Sequence, residues 1–234
     1  MPTANHPAGP GRAPDQGPPL RRDAERNRER ILGAARGVFA AEGIEASMAS
    51  VARTAGVGIA TLFRRFPTRE DLISAVFADT MNTYLGAVTT ALSDPDPWHG
   101  FTSYIRTVCA MQAADRGFAE VLTMTFPTAT QLEDQRQRAY RSFLQLIRRA
   151  KATGRLRPDF TSQDLVILLM ANAGVIAATQ AAAPGTWERL VDYMLQAFTA
   201  PQPATLPPPP DPRALARAMA GFSRPASATQ RAGR

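Results

Sequence analysis

Apolar residues recur along most of the chain at spacings of three and four, the period of a helix with one buried face. No stretch alternates as a half-buried strand would. The first helix carries Ile31, Ala35, Val38 and Phe39, with Glu42 in the same register, and Gly43 stops it. A second helix starts near Ser47, a residue suited to N-capping. It turns Met48, Val51, Ala52 and Ala55 inward and ends at Gly56. The tight turn Gly56-Val57-Gly58 leads into a helix of barely two turns, Ile59 to Phe66, which Pro67 closes. Thr68 caps the next helix, with Asp71 three residues later in the manner of a capping box.

This fourth helix keeps one stripe from Leu72 and Ile73 through Val76, Phe77, Met81, Tyr84, Leu85 and Val88 to Leu92. At about 1.5 Å per residue it spans roughly 30–35 Å, enough to join two domains. Pro95 and Pro97 break the pattern, and further helices are expected over about 98–115, 117–125, 129–153, 162–182 and 186–199. Thr161 with Asp164 repeats the capping box. The helix from Leu165 is apolar nearly all round, so it needs cover on both sides, and a partner subunit could supply one of them.

The ends read differently. Residues 1–22 are rich in Pro, Gly and Ala and form a disordered arm ending in Arg21 and Arg22. Residues 201–234 are a Pro-rich flexible tail. Its four consecutive prolines favour polyproline II, with a short helix over Pro212 to Gly221. Between them lie a helical unit over 23–67 and a larger one over 68–200. The fold expected is all-α.

Composition narrows the partners. The chain has 234 residues, a net charge of +7 and 44% hydrophobic residues, so it can bury a core and still favour an acidic partner. Lys151 is the only lysine. Arginine forks onto phosphate or guanine, although a GC-rich genome produces the same skew. One cysteine, Cys109, allows no internal disulfide and suits a reducing cytoplasm. The first residues have no apolar core, so no secretory signal is read. The apolar run Leu165 to Ala178 falls short of the roughly 20 residues that span a bilayer.

Within "IATLFRRF", Leu62 and Phe66 share one helical face, while Thr61 and Arg65 share another, with Arg64 beside them. One face anchors the short helix and the other offers hydroxyl and guanidinium groups. A helix, a short glycine turn and a second helix form a helix-turn-helix, whose second helix fits the major groove. The bland alternative is a helical hairpin with an exposed basic face.

The segment Ile31 to Val76, with Phe39 and Gly43, then "VARTAGV", "TLFRRF" and the Asp71-Leu72 pair, resembles the TetR family of bacterial transcriptional repressors. "RLRPDFTSQDL", Arg155 to Leu165, resembles the lead into that family's eighth helix. The resemblance implies a three-helix DNA-binding domain joined by a long helix to a larger helical domain for ligand and dimerisation. By position, it places Ser47 and Ser50 where the second helix meets phosphate. Gly58, Ile59 and Thr61 fall at the start of the recognition helix. Phe63 and Arg65 fall at DNA-contacting positions, and Arg69 where a lysine usually meets phosphate. Arg64 lies round the helix, toward phosphate. Phe63 stands where the family commonly has tyrosine, so it either packs or meets DNA without a hydroxyl. Ala60 replaces a common glycine.

In the second half, the stripes Phe101, Tyr104, Val108 and Met111, then Leu122 and Phe126, then Phe143 and Ile147 read first as core. The resemblance implies a cavity among them for a small, often apolar effector. Asn172 and Ile176 join the candidate lining, with Tyr104 and Asn172 as its polar groups. The implied partners are an operator DNA, an effector, and a second copy bound through about 162–199. No membrane, metal or cofactor is expected, and the location expected is the bacterial cytoplasm. Catalysis is not expected either. His6 lies in the arm and His99 stands alone beside Trp98. No Cys/His pair has metal spacing, and no glycine-rich loop follows a strand. The rival reading is a non-specific architectural DNA binder, which would have little use for so large an apolar second half.

Overall fold

A computed structural model describes residues 19–123, 129–201 and 204–222. Helices α1 (Pro19–Glu42), α2 (Met48–Ala55), α3 (Ile59–Arg65) and α4 (Arg69–Ser93) come first. Helices α5 (Pro97–Ala114), α6 (Arg116–Thr123), α7 (Thr130–Ala152), α8 (Ser162–Thr179), α9 (Thr186–Phe198) and α10 (Pro212–Phe222) follow. Among the described residues the only β pairing is an isolated antiparallel bridge between Leu156 and Thr199.

The all-α expectation holds, with boundary corrections. Helix α1 starts at Pro19, inside the segment read as an arm. Proline suits the first helical position because its missing N–H has no partner there anyway. Asp23–Arg26 and Glu25–Arg28 ion pairs then bridge the first turns at i,i+3. Pro97 begins α5 in the same way, with the Asp96 carboxylate accepting from the Trp98 and His99 N–H groups. Both expected capping boxes form, Thr68 with Asp71 and Thr161 with Asp164.

Helices α4, α5 and α7 pack together, α8 and α9 pair beside them, and α1–α3 gather at one end of α4. One aromatic series runs through this body. Phe39 of α1 stacks on Phe77 of α4 with centroids 6.3 Å apart, and Phe77 meets Phe118 of α6 at 6.4 Å. Phe118 meets Tyr84 edge-on at 6.2 Å, and Tyr84 meets Tyr104 of α5 at 6.3 Å. Helix α6 is wedged against α1 and α4 at Gly117, where an added Cβ would lie 2.8 Å from Phe77 Cζ. The Glu120 carboxylate also accepts from the Ile44 N–H at 2.9 Å, which fastens α6 to the α1–α2 turn.

Cys109 is fully buried, and burial pushes its thiol up to about 12. Thiolate is the reactive form, so native protein at pH 8 is expected to ignore a disulfide reagent until urea unfolds it. A stoichiometric reaction in the native state would contradict this.

Candidate nucleic-acid interface and sensor core

The α2–α3 turn is fixed from two sides. Gly56 closes α2 in the left-handed region, φ 63° and ψ 37°, where a side chain would be strained. The Arg30 guanidinium, reaching from α1, donates to the carbonyls of Ala55 at 2.7 Å and Gly56 at 3.3 Å. Gly58, singled out from the sequence, has an ordinary φ of −66°, and a Cβ there would meet only Thr61 Oγ1 at 4.0 Å. The fold therefore demands glycine at Gly56, and at Gly58 only an approaching ligand could.

Helix α3 divides as expected. Leu62 and Phe66 are buried where α3 packs on α2, while Ile59 is 43% exposed and Phe63 44% exposed. Arg64 and Arg65 are exposed and Thr61 is half-buried. Phe63 is partly exposed on the outer face of α3, where its ring both packs on the helix and is open to an approaching partner. Arg65 lies 3.8 Å from Glu25 of α1, both largely exposed, and such a pair holds weakly. Arg69 is half-buried at the head of α4 and bonds Glu45 at 2.8 Å.

Ser47 is exposed and its hydroxyl accepts from the Ser50 N–H at 3.0 Å, so it serves α2 as N-cap. Ser50 departs from the expectation of a phosphate contact. It is buried, its hydroxyl donates to Glu42 at 3.1 Å, and it accepts from Arg53 at 3.3 Å. Arg53, exposed beside it, was passed over in the sequence because no pattern marked it.

In the larger half, Phe101, Tyr104, Val108, Leu122, Phe143, Ile147 and Asn172 are all buried, and Met111 and Ile176 are half-buried. Phe126 lies outside the described residues. Tyr104 and Phe143 meet with centroids 5.4 Å apart, and Phe101 stacks on Phe143 at 6.4 Å. Two polar pairs sit in this apolar setting. The Tyr104 hydroxyl donates to Tyr84 at 3.1 Å, and burial raises both phenols above their usual range. The Asn172 amide donates to Gln112 Oε1 at 2.9 Å and to the Cys109 carbonyl at 3.3 Å. Gln112 in turn donates to the Leu169 carbonyl at 3.3 Å. These bonds fix the orientation of the Asn172 amide, and its Oδ1 is buried with no hydrogen-bond partner among the described residues. Close to Tyr84, burial lowers the Arg136 guanidinium below its usual range, while Glu133 and Tyr84 favour its charge.

Gln112 and Arg136 were not picked out from the sequence, and Tyr84 was placed only on the apolar stripe of α4. Gln112 could have been, since it follows Tyr104 and Val108 at successive fourth positions on one buried face. A separate open groove of about 330 Å³ lies between α5 and α9, lined by Trp98, Thr102, Arg106, Asp192, Leu195, Gln196 and Thr199. None of the candidate effector residues borders it.

Comparisons agree with this geometry. Residues 31–76 match the model for bacterial regulatory proteins of the tetR family, and residues 96–198 match the C-terminal domain of SbtR-like transcriptional regulators. The HTH-type transcriptional regulator SAB2452 of Staphylococcus aureus is 39% identical over 67 residues, 28% of this chain and 36% of that regulator. The chain thus spans about a third of the length of the curated relatives it matches. The TetR transcriptional regulator SCO0520 from Streptomyces coelicolor is 30% identical, covering 75% of this chain and 99% of that one, with a TM-score of 0.47. A tetR-family regulatory protein from Rhodococcus RHA1 has the same fold at a TM-score of 0.55 and 19% identity, covering 75% of this chain and 98% of that one. With one family model on the helix-turn-helix and another on the helices that follow it, the chain belongs to the TetR family of bacterial transcriptional regulators.

Proposed function

We propose that this regulator binds a near-palindromic operator as a homodimer, one half-site per subunit, and is a repressor released by a small, largely apolar effector. The DNA-binding unit runs from α1 to Pro67, and residues 68–200 form the effector and dimerisation unit. The observation that carries the DNA reading is the division of α3. Its inner face is locked by Leu62 and Phe66, its turn is held by Arg30, and its outer face offers Ile59, Phe63, Arg64 and Arg65 to the surroundings. A rigid helix with such a face suits the major groove. Arg65 then reads a base, while Arg64, Arg69 and the exposed end of α2 at Ser47 meet phosphates.

The effector reading rests on the buried polar pairs. An acceptor enclosed without a partner costs free energy, and a donor on a bound molecule would satisfy Asn172 Oδ1. The effector is accordingly apolar with at least one hydroxyl or N–H. It must favour one spacing of the two recognition helices over the other by differential affinity. The dimer forms through α8 and α9, where Ile167 is 41% exposed and Tyr193 52% exposed.

Replacing Arg65 by alanine tests base reading. With a selected operator and a random duplex at one salt concentration, discrimination is expected to fall by about 1–3 kcal/mol per half-site. Equal weakening on both duplexes would make Arg65 a phosphate contact only.

A further inference from the structure

The seam between α4 and α7 carries polar groups that a purely apolar effector would leave unused. The buried Gln135 amide donates to Asn82 Oδ1 at 3.0 Å, which fixes the register of α7 on α4. Two residues further along α4 stands Tyr84, and the next residue of α7 is Arg136. The Tyr104 hydroxyl gives its one proton to Tyr84 at 3.1 Å. Tyr84 keeps its own O–H to donate, and no acceptor for it lies among the described residues. Arg136 lies close enough to Tyr84 for each to feel the other's charge. Its side chain is 18% exposed, and Glu133 stands 4.0 Å away, beyond hydrogen-bond reach. A guanidinium carries five N–H donors in a fixed fork and stays charged at neutral pH even where burial opposes it. The surroundings are apolar: Phe118 meets Tyr84 at 6.2 Å, and Phe143 meets Tyr104 at 5.4 Å. A group that accepts from both Tyr84 and Arg136 binds best there if it is an anion, because charge-assisted bonds are roughly twice as strong as neutral ones.

Asn172 presents the opposite need. Gln112 holds its amide, and its Oδ1 lacks a donor among the described residues. Tyr104, Val108 and Gln112 follow one another at every fourth position of α5 and so share a face, with Val108 buried between the two ends. At the helical rise those ends lie roughly 12 Å apart along α5. One apolar wall thus has a cation and a hydroxyl donor at one end and an acceptor at the other.

We propose that the effector is an amphipathic carboxylic acid: its carboxylate accepts from Arg136 and from the Tyr84 hydroxyl, and a hydroxyl or N–H at its far end donates to Asn172 Oδ1. This rests on the effector reading given above and adds to it a negative charge and a length. One guanidinium balances a single negative charge and matches a planar carboxylate with its fork, which suits a carboxylate over a doubly charged phosphate. The apolar body between the two ends packs along Val108.

Calorimetric titration of the full chain tests both ends with three probes: ω-hydroxydecanoate, whose extended chain is about that long, the diol of the same length, and decanoate. The hydroxy acid is expected to bind about tenfold more tightly than the diol, the usual worth of hydrogen bonds to a charged group. Arg136→Gln and Tyr84→Phe are each expected to weaken the hydroxy acid about tenfold and to move the diol by no more than about twofold, a split that a merely structural loss does not produce. Asn172→Leu is expected to abolish the advantage of the hydroxy acid over decanoate. Circular dichroism verifies that each variant stays helical, and Tyr84→Phe, which removes one oxygen, keeps the test open where Arg136→Gln fails to fold. Hydroxy acid and diol bound equally well overturn the carboxylate site and leave the effector reading standing. Equal weakening of both ligands in the variants makes Arg136 and Tyr84 structural supports and overturns it too. A full chain that binds none of the three probes overturns both readings.

Discussion

Replacing Phe77 by alanine is expected to cost about 3–5 kcal/mol of stability, the usual range for deleting a fully buried phenylalanine ring. Phe77 is 0% exposed. Its ring stacks on Phe39 from α1 and meets Phe118 from α6, so three helices close on one side chain. Gly117 leaves the ring its room: the position of a missing Cβ falls 2.8 Å from Cζ, inside van der Waals contact. The surrounding backbone is held at that spot by the Glu120–Ile44 bond, so it cannot collapse far into the cavity. Urea unfolding at fixed protein concentration measures the loss, because the proposed dimerisation would make apparent stability depend on concentration. Phe63→Ala is the control. That ring is 44% exposed, and its removal is expected to stay within about 0.5 kcal/mol. A loss below about 1 kcal/mol at Phe77 would mean that α6 does not wedge against α1 and α4 as described.

How much of this could be read from the residues depends on how far apart the interacting groups lie in sequence. Local signals were legible. The two capping boxes span three residues each, the α3 anchors Leu62 and Phe66 lie four apart, and the long stripe of α4 repeats at helical period. Contacts that cross the chain left no local trace. The Tyr84–Tyr104 bond joins residues 20 apart, and the Asn172–Gln112 bond joins residues 60 apart. Sequence spacing proposed Tyr104 and Asn172 for their polarity on apolar faces, and it had no means of naming their partners. Ser50 illustrates the opposite error. Its position in α2 suggested a phosphate contact, and Glu42 at the end of α1 draws its hydroxyl inward instead. Gly56 and Gly58 looked alike in the turn, yet only Gly56 takes a positive φ. The Pro-rich stretch after 200 reads as a flexible tail, because the bonds that tie its start to the body, Arg157 to the Ala204 carbonyl and the Leu206 N–H to Asp159, have no periodicity to betray them.

Operator affinity is expected to fall roughly a hundredfold between 50 and 200 mM salt. The estimate follows from counting cations. Arg64 and Arg69, the cations placed on phosphate, give about four phosphate contacts over two subunits, and each contributes a slope of about −0.9 in log K against log salt. Two of the DNA-facing cations are engaged in the free protein, Arg65 near Glu25 and Arg69 with Glu45. The Arg65–Glu25 pair is exposed and the Arg69–Glu45 pair partly so, and exposed pairs hold by about 1 kcal/mol at most, so DNA displaces the carboxylates at little cost. Glu45→Gln removes one competitor and is expected to strengthen binding slightly without changing sequence preference. Arg69→Ala should make the slope shallower by about two, one phosphate per subunit, while weakening operator and random duplex alike. Fluorescence anisotropy over a salt series measures all three. A slope shallower than about −2 for the unmodified protein would mean that the basic face of α3 does not engage the phosphate backbone, and the major-groove placement of that helix would fall with it.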